Sequence, residues 1–144
     1  MDTYKTKRTF IRQIPNGADL YESLTKFVVD EDIKVGRITA IGATMHAVVA
    51  YYDQSVREYQ KMEFPGGMEI LSCSGNVSLR DGKPFAHVHI MLGDRHGKAV
   101  GGHLMPGTKV FACEVFIEEY EGEALTRARD ELTGLFLWNR PSLI

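Results

Sequence analysis

Four of the chain's five histidines lie in one stretch, Pro84-Phe-Ala-His-Val-His-Ile-Met-Leu-Gly-Asp-Arg-His-Gly-Lys-Ala-Val-Gly-Gly-His-Leu104. In an extended segment His87 and His89 project to one face, while Val88, Ile90 and Leu92 project to the other. One face is imidazole and the other aliphatic. If the loop from Gly93 to Gly97 closes an antiparallel hairpin with Leu92 opposite Lys98, His87 falls opposite His103. Directly opposite residues share a face with Cβ atoms about 4.5–5.5 Å apart, and His89 lies within diagonal reach. A slip of one residue would send His103 to the aliphatic face, so the convergence depends on the parity of the register. Three neutral imidazoles with room to spare match the arrangement of a catalytic zinc site, whose fourth position is left to water or substrate. Other divalent transition metals suit the same donors.

The neighbours of these histidines favour an open site. Ala99 and Gly101 share the face of His103 and are small, whereas Val100 and Leu104 join the aliphatic side. His46 has no partner nearby in sequence and His96 sits at a turn tip, so neither is read as a ligand. A carboxylate is wanted to orient an imidazole or to carry a proton, and Glu69 is the candidate. It opens Met68-Glu-Ile-Leu-Ser-Cys-Ser-Gly-Asn76, where strict alternation places it on the side of Leu71 and Cys73. The bland alternative is a solvated glutamate at a strand start. Gly75-Asn76 and Gly101-Gly102 mark bulges or close backbone approach and not phosphate cradles, because no helix start follows either pair.

The elements that must hold these residues are mostly strands. Residues 7–14 form an extended segment that ends at the turn Pro15-Asn16-Gly17, after which Asn16 and Asp19 are available as helix caps. Leu20, Leu24, Phe27 and Val28 recur on one helical face, predicting an amphipathic helix to about Asp30. Seven β-branched, alternating segments follow, over 36–41, 47–52, 57–62, 68–79, 85–92, 99–104 and 109–120. Their short connections, Asp81-Gly82 and Asp94-Arg-His-Gly97 among them, imply a mostly antiparallel sheet. The tail from 123 to 140 carries Leu125, Ala128 and Leu132 at helical spacing, but 135–138 reads as a final strand. The expected fold is therefore α/β (α+β), a sheet of about seven strands flanked by one main helix. It forms a single domain over residues 7–140, with residues 1–6 a short lead.

Composition bounds the function. The chain has 144 residues, with 44% hydrophobic and 25% charged side chains. A domain of this size buries roughly 68–70% of its unfolded surface and needs neither disulfide nor metal to make a core. Any metal then has a functional reason. The 17 Lys+Arg against 19 Asp+Glu are scattered singly, leaving no basic block to neutralise phosphates, which makes DNA binding doubtful. Cys73 and Cys113 lie in apolar segments without close spacing and read as reduced core residues. No apolar run approaches the length of a membrane span and the amino terminus has no signal-peptide pattern, so a cytoplasmic location is expected.

Several segments together resemble the plant and prokaryote conserved (PPC) domain: Ile41-Gly-Ala43, Tyr51-Tyr-Asp53, Glu69 to Asn76, His87-Val-His89, Gly93-Asp-Arg95, Gly97 and Gly101-Gly-His-Leu104. The resemblance covers roughly residues 9–137. It implies a compact α/β domain that assembles as a homotrimer. Plant relatives place an AT-hook before the domain and bind AT-rich DNA, but this chain has no Arg-Gly-Arg-Pro core. The hook reads DNA by inserting arginines into the minor groove, so its absence removes the main ground for carrying that function over. The fold is also similar to acetolactate decarboxylase, whose zinc is held by three histidines, two of them in an H-x-H pair. His87, His89 and His103 match that pattern. Three readings stay open: a metal-dependent enzyme acting on a small carbonyl or carboxylate substrate, a non-catalytic trimeric assembly or regulatory module, and a DNA-associated protein as in the AT-hook relatives. A shared fold does not by itself transfer an activity.

Overall fold

The structure is a computed structural model describing residues 3–139. The limits expected at Met1 for the lead and at Arg140 for the domain lie outside the described residues. Six strands build one antiparallel sheet: β1 (Lys5–Ile14), β2 (Gly36–Asp53), β3 (Glu58–Arg80), β4 (Lys83–Gly93), β5 (Ala99–Leu104) and β6 (Lys109–Glu121). Their order is β1-β6-β2-β3-β4-β5. A ribbon of β7 (Arg127–Arg129) and β8 (Phe136–Trp138) follows, and α1 (Leu20–Asp30) is the one helix among the described residues. The expected class, an antiparallel sheet with one flanking helix in a single domain, is what the chain forms.

Two expected breaks are not strand ends. The segments 36–41 and 47–52 join into β2, and 57–62 and 68–79 join into β3, making the arms of one long hairpin. The irregular residues between them are absorbed by bulges, one of which sets Pro65 opposite His46. A proline cannot donate to a ladder, but a bulge leaves a position where no donation is required. In the tail, the expected strand is β8, and its partner β7 includes Ala128, which had suggested a helical turn.

The long β2 changes partner along its length. Up to His46 it pairs with β6, and at Val49 and Ala50 it pairs with Leu104 and His103 of β5. The buried Thr108 hydroxyl marks the switch, accepting from Val48 N at 3.0 Å and donating to Val48 O at 3.0 Å. Strands β2 to β5 therefore close on themselves at this end, with β5 held on both edges.

Helix α1 starts where Asp19 caps it, accepting from Glu22 N at 3.1 Å. The other candidate cap, Asn16, instead donates to Phe111 O at 2.8 Å. The helix packs on β4 and buries Leu20, Leu24 and Val28 in one cluster with Val88, Ile90 and Leu92. Each such side chain contributes roughly 1.5–3 kcal/mol of burial free energy. The aliphatic face of β4 is thus clamped beneath the helix, and the imidazole face is turned away from it. Among the described residues no helix is long and apolar enough to cross a membrane.

Candidate metal centre

The turn between β4 and β5 sets the histidine register. Asp94 N donates to Lys98 O at 3.0 Å, while the Asp94 carboxylate accepts from His96 N at 2.8 Å and Lys98 N at 2.9 Å. This five-residue loop makes Gly93–Ala99 the first strand pair and places Leu92 opposite Val100, not opposite Lys98. His103 consequently faces His89 directly, and His87 becomes the diagonal neighbour. The shift preserves parity, so the three side chains still share a face. Their rings are mutually close, with centroids 5.1 Å apart for His87–His89, 5.0 Å for His87–His103 and 5.4 Å for His89–His103. One nitrogen from each ring lies within 4.8 Å of the other two.

Glycine makes the close approach of strands at this site feasible. An added Cβ on Gly75 would press into the His87 carbonyl oxygen, and one on Gly101 into the Ile90 carbonyl. Both positions need a residue without a side chain, which is the close-approach reading of these two pairs.

Burial and neighbouring charge hold two of the imidazoles neutral. His87 is pushed down to about 4, chiefly by burial and then by the Arg127 guanidinium and the other two histidines. His103 is also pushed down to about 4, by burial first and then by His89 and Arg127. A neutral imidazole is the form that binds a metal. The Nδ1 of His103 is buried without a hydrogen-bond partner. Such an orphaned lone pair or N–H is costly unless something meets it.

A pocket of about 360 Å³ opens over His87 and His103, while His89 lines a separate hollow with Ser72 and Ser74; the first is walled by residues that sequence reasoning did not single out. Tyr59 stacks on His103 with centroids 5.1 Å apart. Tyr52 packs on Tyr59 and donates its hydroxyl to Thr133 O at 2.7 Å, which fastens the tail over the site. Arg127 donates to Ser78 Oγ, Asn76 Oδ1 and Phe136 O, each at 2.8 Å, and its Nη2 faces His87 Nδ1 at 3.2 Å. Arg127 lies between Leu125 and Ala128, whose helical spacing suggested a turn of helix and not a strand, so nothing local in the sequence signals its role.

Glu69 is not gathered into this pocket. The bulge at Leu71 breaks the alternation, leaving Glu69 and Leu71 exposed while Cys73 is buried. Glu69 pairs with Gly93, four residues along β4 from His89 and so roughly 13 Å away at strand spacing. It lines a separate hollow with Asp94, Arg95 and Phe111. His46 lies 3.6 Å from Glu63, and His96 accepts from Arg95 at 3.0 Å; neither joins the cluster. Cys73 and Cys113 are free and buried, as expected, and burial pushes their thiols up to about 12 and about 11.

The donor set fits a divalent transition metal: three nitrogens, two of them on half-buried rings held neutral, and an unpartnered Nδ1. Ligands around tetrahedral zinc stand roughly 3.3 Å apart, and the nitrogens of the triad are grouped within 4.8 Å of one another.

Known proteins agree with this architecture. A metal-containing protein of Archaeoglobus fulgidus is 45% identical, covers 97% of this chain and 99% of its own, and superposes with a TM-score of 0.90. A plant- and prokaryote-conserved protein of Pyrococcus horikoshii is 34% identical, with coverages of 98% and 97% and a TM-score of 0.91. A Staphylococcus aureus protein described as similar to alpha-acetolactate decarboxylase shares the fold alone, at 14% identity, a TM-score of 0.52 and coverages of 85% and 54%. Among curated sequences, the bifunctional protein GlmU of a Synechococcus strain is 29% identical over 126 residues; the chain spans only 19% of that relative's length. The family model of the Plants and Prokaryotes Conserved (PCC) domain matches residues 1–121, and the chain belongs to that family.

Proposed function

We propose that the chain is a metal-binding protein whose His87, His89 and His103 hold a divalent transition ion, zinc foremost, and that it acts on a small carbonyl or carboxylate substrate. The observation that carries this reading is the grouping of three imidazole nitrogens within 4.8 Å, with His87 and His103 lining a pocket. When bound, such an ion supplies a Lewis acid that polarises a carbonyl oxygen. The chain's own residues do the rest. Tyr59 and Phe85 wall the pocket with apolar surface, and the tail from Gly134 to Leu137 covers it and limits water. The role of proton carrier suggested for Glu69 finds no support in its placement. The test is the metal content of untagged protein. One transition ion per chain is expected in the wild type and less than a tenth of that in His87→Ala; substoichiometric metal in the wild type, or full occupancy in the variant, rejects the reading.

A second proposal concerns assembly. Ile11, Ile41, Leu71 and Phe116 stand exposed on the outer sheet face, with Ile11 directly opposite Phe116 across β1 and β6. Exposed apolar side chains grouped on one face, here interleaved with Arg37 and Glu114, favour association, and a homotrimer is the state proposed. Light scattering should give three times the 16.2 kDa chain mass, and Phe116→Glu should give monomer. A monomeric wild type would refute it. If assembly persists while metal is absent, the non-catalytic module becomes the better account.

A further inference from the structure

The pocket over the histidines has an uneven charge. Its lining includes Arg57, Arg80 and Arg127 and no carboxylate. Carboxylates counter these charges only at a distance: Asp130 feels Arg57, and no carboxylate forms a close pair with Arg80 or Arg127 among the described residues. The Arg80 guanidinium makes no hydrogen bond to the described residues, and its ion-pair neighbour among them is Asp81, with Nε 4.0 Å from the carboxylate. Arg57 donates to a backbone carbonyl, that of Glu131, at 3.3 Å. Arg127 is spent on the neutral acceptors of Ser78, Asn76 and Phe136. The carboxylates of the covering tail make their close contacts elsewhere. Asp130 accepts from the Thr133 hydroxyl and amide, and Glu131 lies 3.9 Å from Arg129.

Arg80 is also held in place. Its guanidinium lies 4.0 Å from the centroid of the Phe136 ring and 5.5 Å from that of Phe85. Stacking fixes the plane of the guanidinium but consumes none of its N–H donors. A planar fork with donors unclaimed by the protein, set in a positive field, is the arrangement that recognises an oxyanion by two parallel hydrogen bonds. The pocket volume of about 360 Å³ is near the small end of ligand sites.

We propose that this pocket receives a small molecule bearing a carboxylate or phosphate group, held by Arg80 on the Phe136 ring, with Arg57 and Arg127 supplying the surrounding positive field. The anionic end then sits under the β7–β8 ribbon and the rest of the molecule extends toward the histidines. The inference rests on the reading of this pocket as the functional site, but it does not need the metal. It also gives the tail, beyond the residues matched by the family model, a role in ligand recognition.

The test is a titration of metal-free protein, followed by amide and arginine side-chain NMR shifts, with inorganic phosphate, acetate and acetamide as probes. Saturable shifts at Arg80, Phe136 and Leu137 are expected with the anions and not with neutral acetamide. A response to one anion alone supports the proposal and identifies the group. Arg80→Gln should weaken binding about tenfold or more, as loss of a charge-assisted pair requires. Arg80→Lys should fall between, and Arg12→Gln, on β1, should leave binding unchanged. No saturable response from either anion, or equal binding by wild type and Arg80→Gln, overturns the proposal. Metal uptake is measured on the same preparation. Anion binding without metal uptake sinks only the metal reading, and metal uptake without anion binding sinks only this one.

Discussion

The two faces of the β4–β5 hairpin are made by the same strands and differ in every physical respect. On one, Val88, Ile90, Leu92 and Leu104 are buried beneath α1, close-packed with Leu20, Leu24 and Val28. On the other, His87, His89 and His103 stack on one another and on Tyr59, His87 meets Arg127, and a buried Nδ1 is left unpartnered. The aliphatic face stabilises the fold and has no polar group to satisfy. The imidazole face holds polar groups in place without satisfying all of them. The first specifies the strands, and the second uses the positions so specified.

The largest effect should come from the packed face. Leu92→Ala should cost about 2–5 kcal/mol of unfolding free energy in denaturant titration, because the core cannot close over the lost volume. His89→Ala, on the exposed side of the same strand, should cost much less and still abolish metal uptake. If both variants lose similar stability, the division of labour between the faces is wrong.

Gly75 probes the frame that joins the two faces. Its Ala variant must move β3 away from β4 where His87 is carried, since the added methyl meets a backbone oxygen and cannot be relieved by a rotamer change. An overpacking cost of about 1–3 kcal/mol is expected. Metal affinity should fall with it, although no ligand is touched; unchanged affinity would show that the strand spacing at Gly75 does not position the triad.

These contrasts explain what could be read from the sequence. Alternation along 85–92 fixed the two faces, and the H-x-H spacing with His103 picked the triad out of five histidines. The register came out one pair of positions away from the expected one, because side-chain bonds from Asp94 close a loop whose conformation residue types do not dictate. The long β2 and β3 were read as separate strands, since a bulge at Pro65 looks like a break when its partner is unknown. Glu69 was placed by strict alternation, and a single bulge at Leu71 turned it to the exposed side. The arginine cluster could not be read at all. Arg57, Arg80 and Arg127 come from three distant segments, and only the folded tail brings them together. The even scatter of basic residues along the chain therefore hid a concentrated patch.

Acid should discriminate the faces without any mutation. His87 and His103 are held neutral down to about 4 in the fold but titrate near 6.5 when unfolded. Below 6.5 the unfolded chain binds protons that the native chain refuses, so stability rises with pH across this window. Their contribution is fully present above 6.5 and is lost as pH falls toward 4. The melting temperature of metal-free protein should decline over that range, and a His87→Gln, His103→Gln double variant should show a flatter decline. An unchanged slope would mean that the two rings are not the groups responsible.

The smallest expected change tests whether the imidazole face is held open or merely packed in another way. Arg127 can only donate, so its contact with His87 requires Nδ1 to accept, which leaves the proton of the neutral ring on Nε2. In that tautomer His87 has no free lone pair for an ion, and the guanidinium also repels a cation. Metal and Arg127 therefore compete for His87. Arg127→Leu should raise zinc affinity in a competitive chelator titration by about tenfold, or about 1.4 kcal/mol, a moderate value for one charge removed at close range. A fall in affinity would mean that Arg127 orients the ring for its ligand role and that the outer face, like the inner one, depends on its packing.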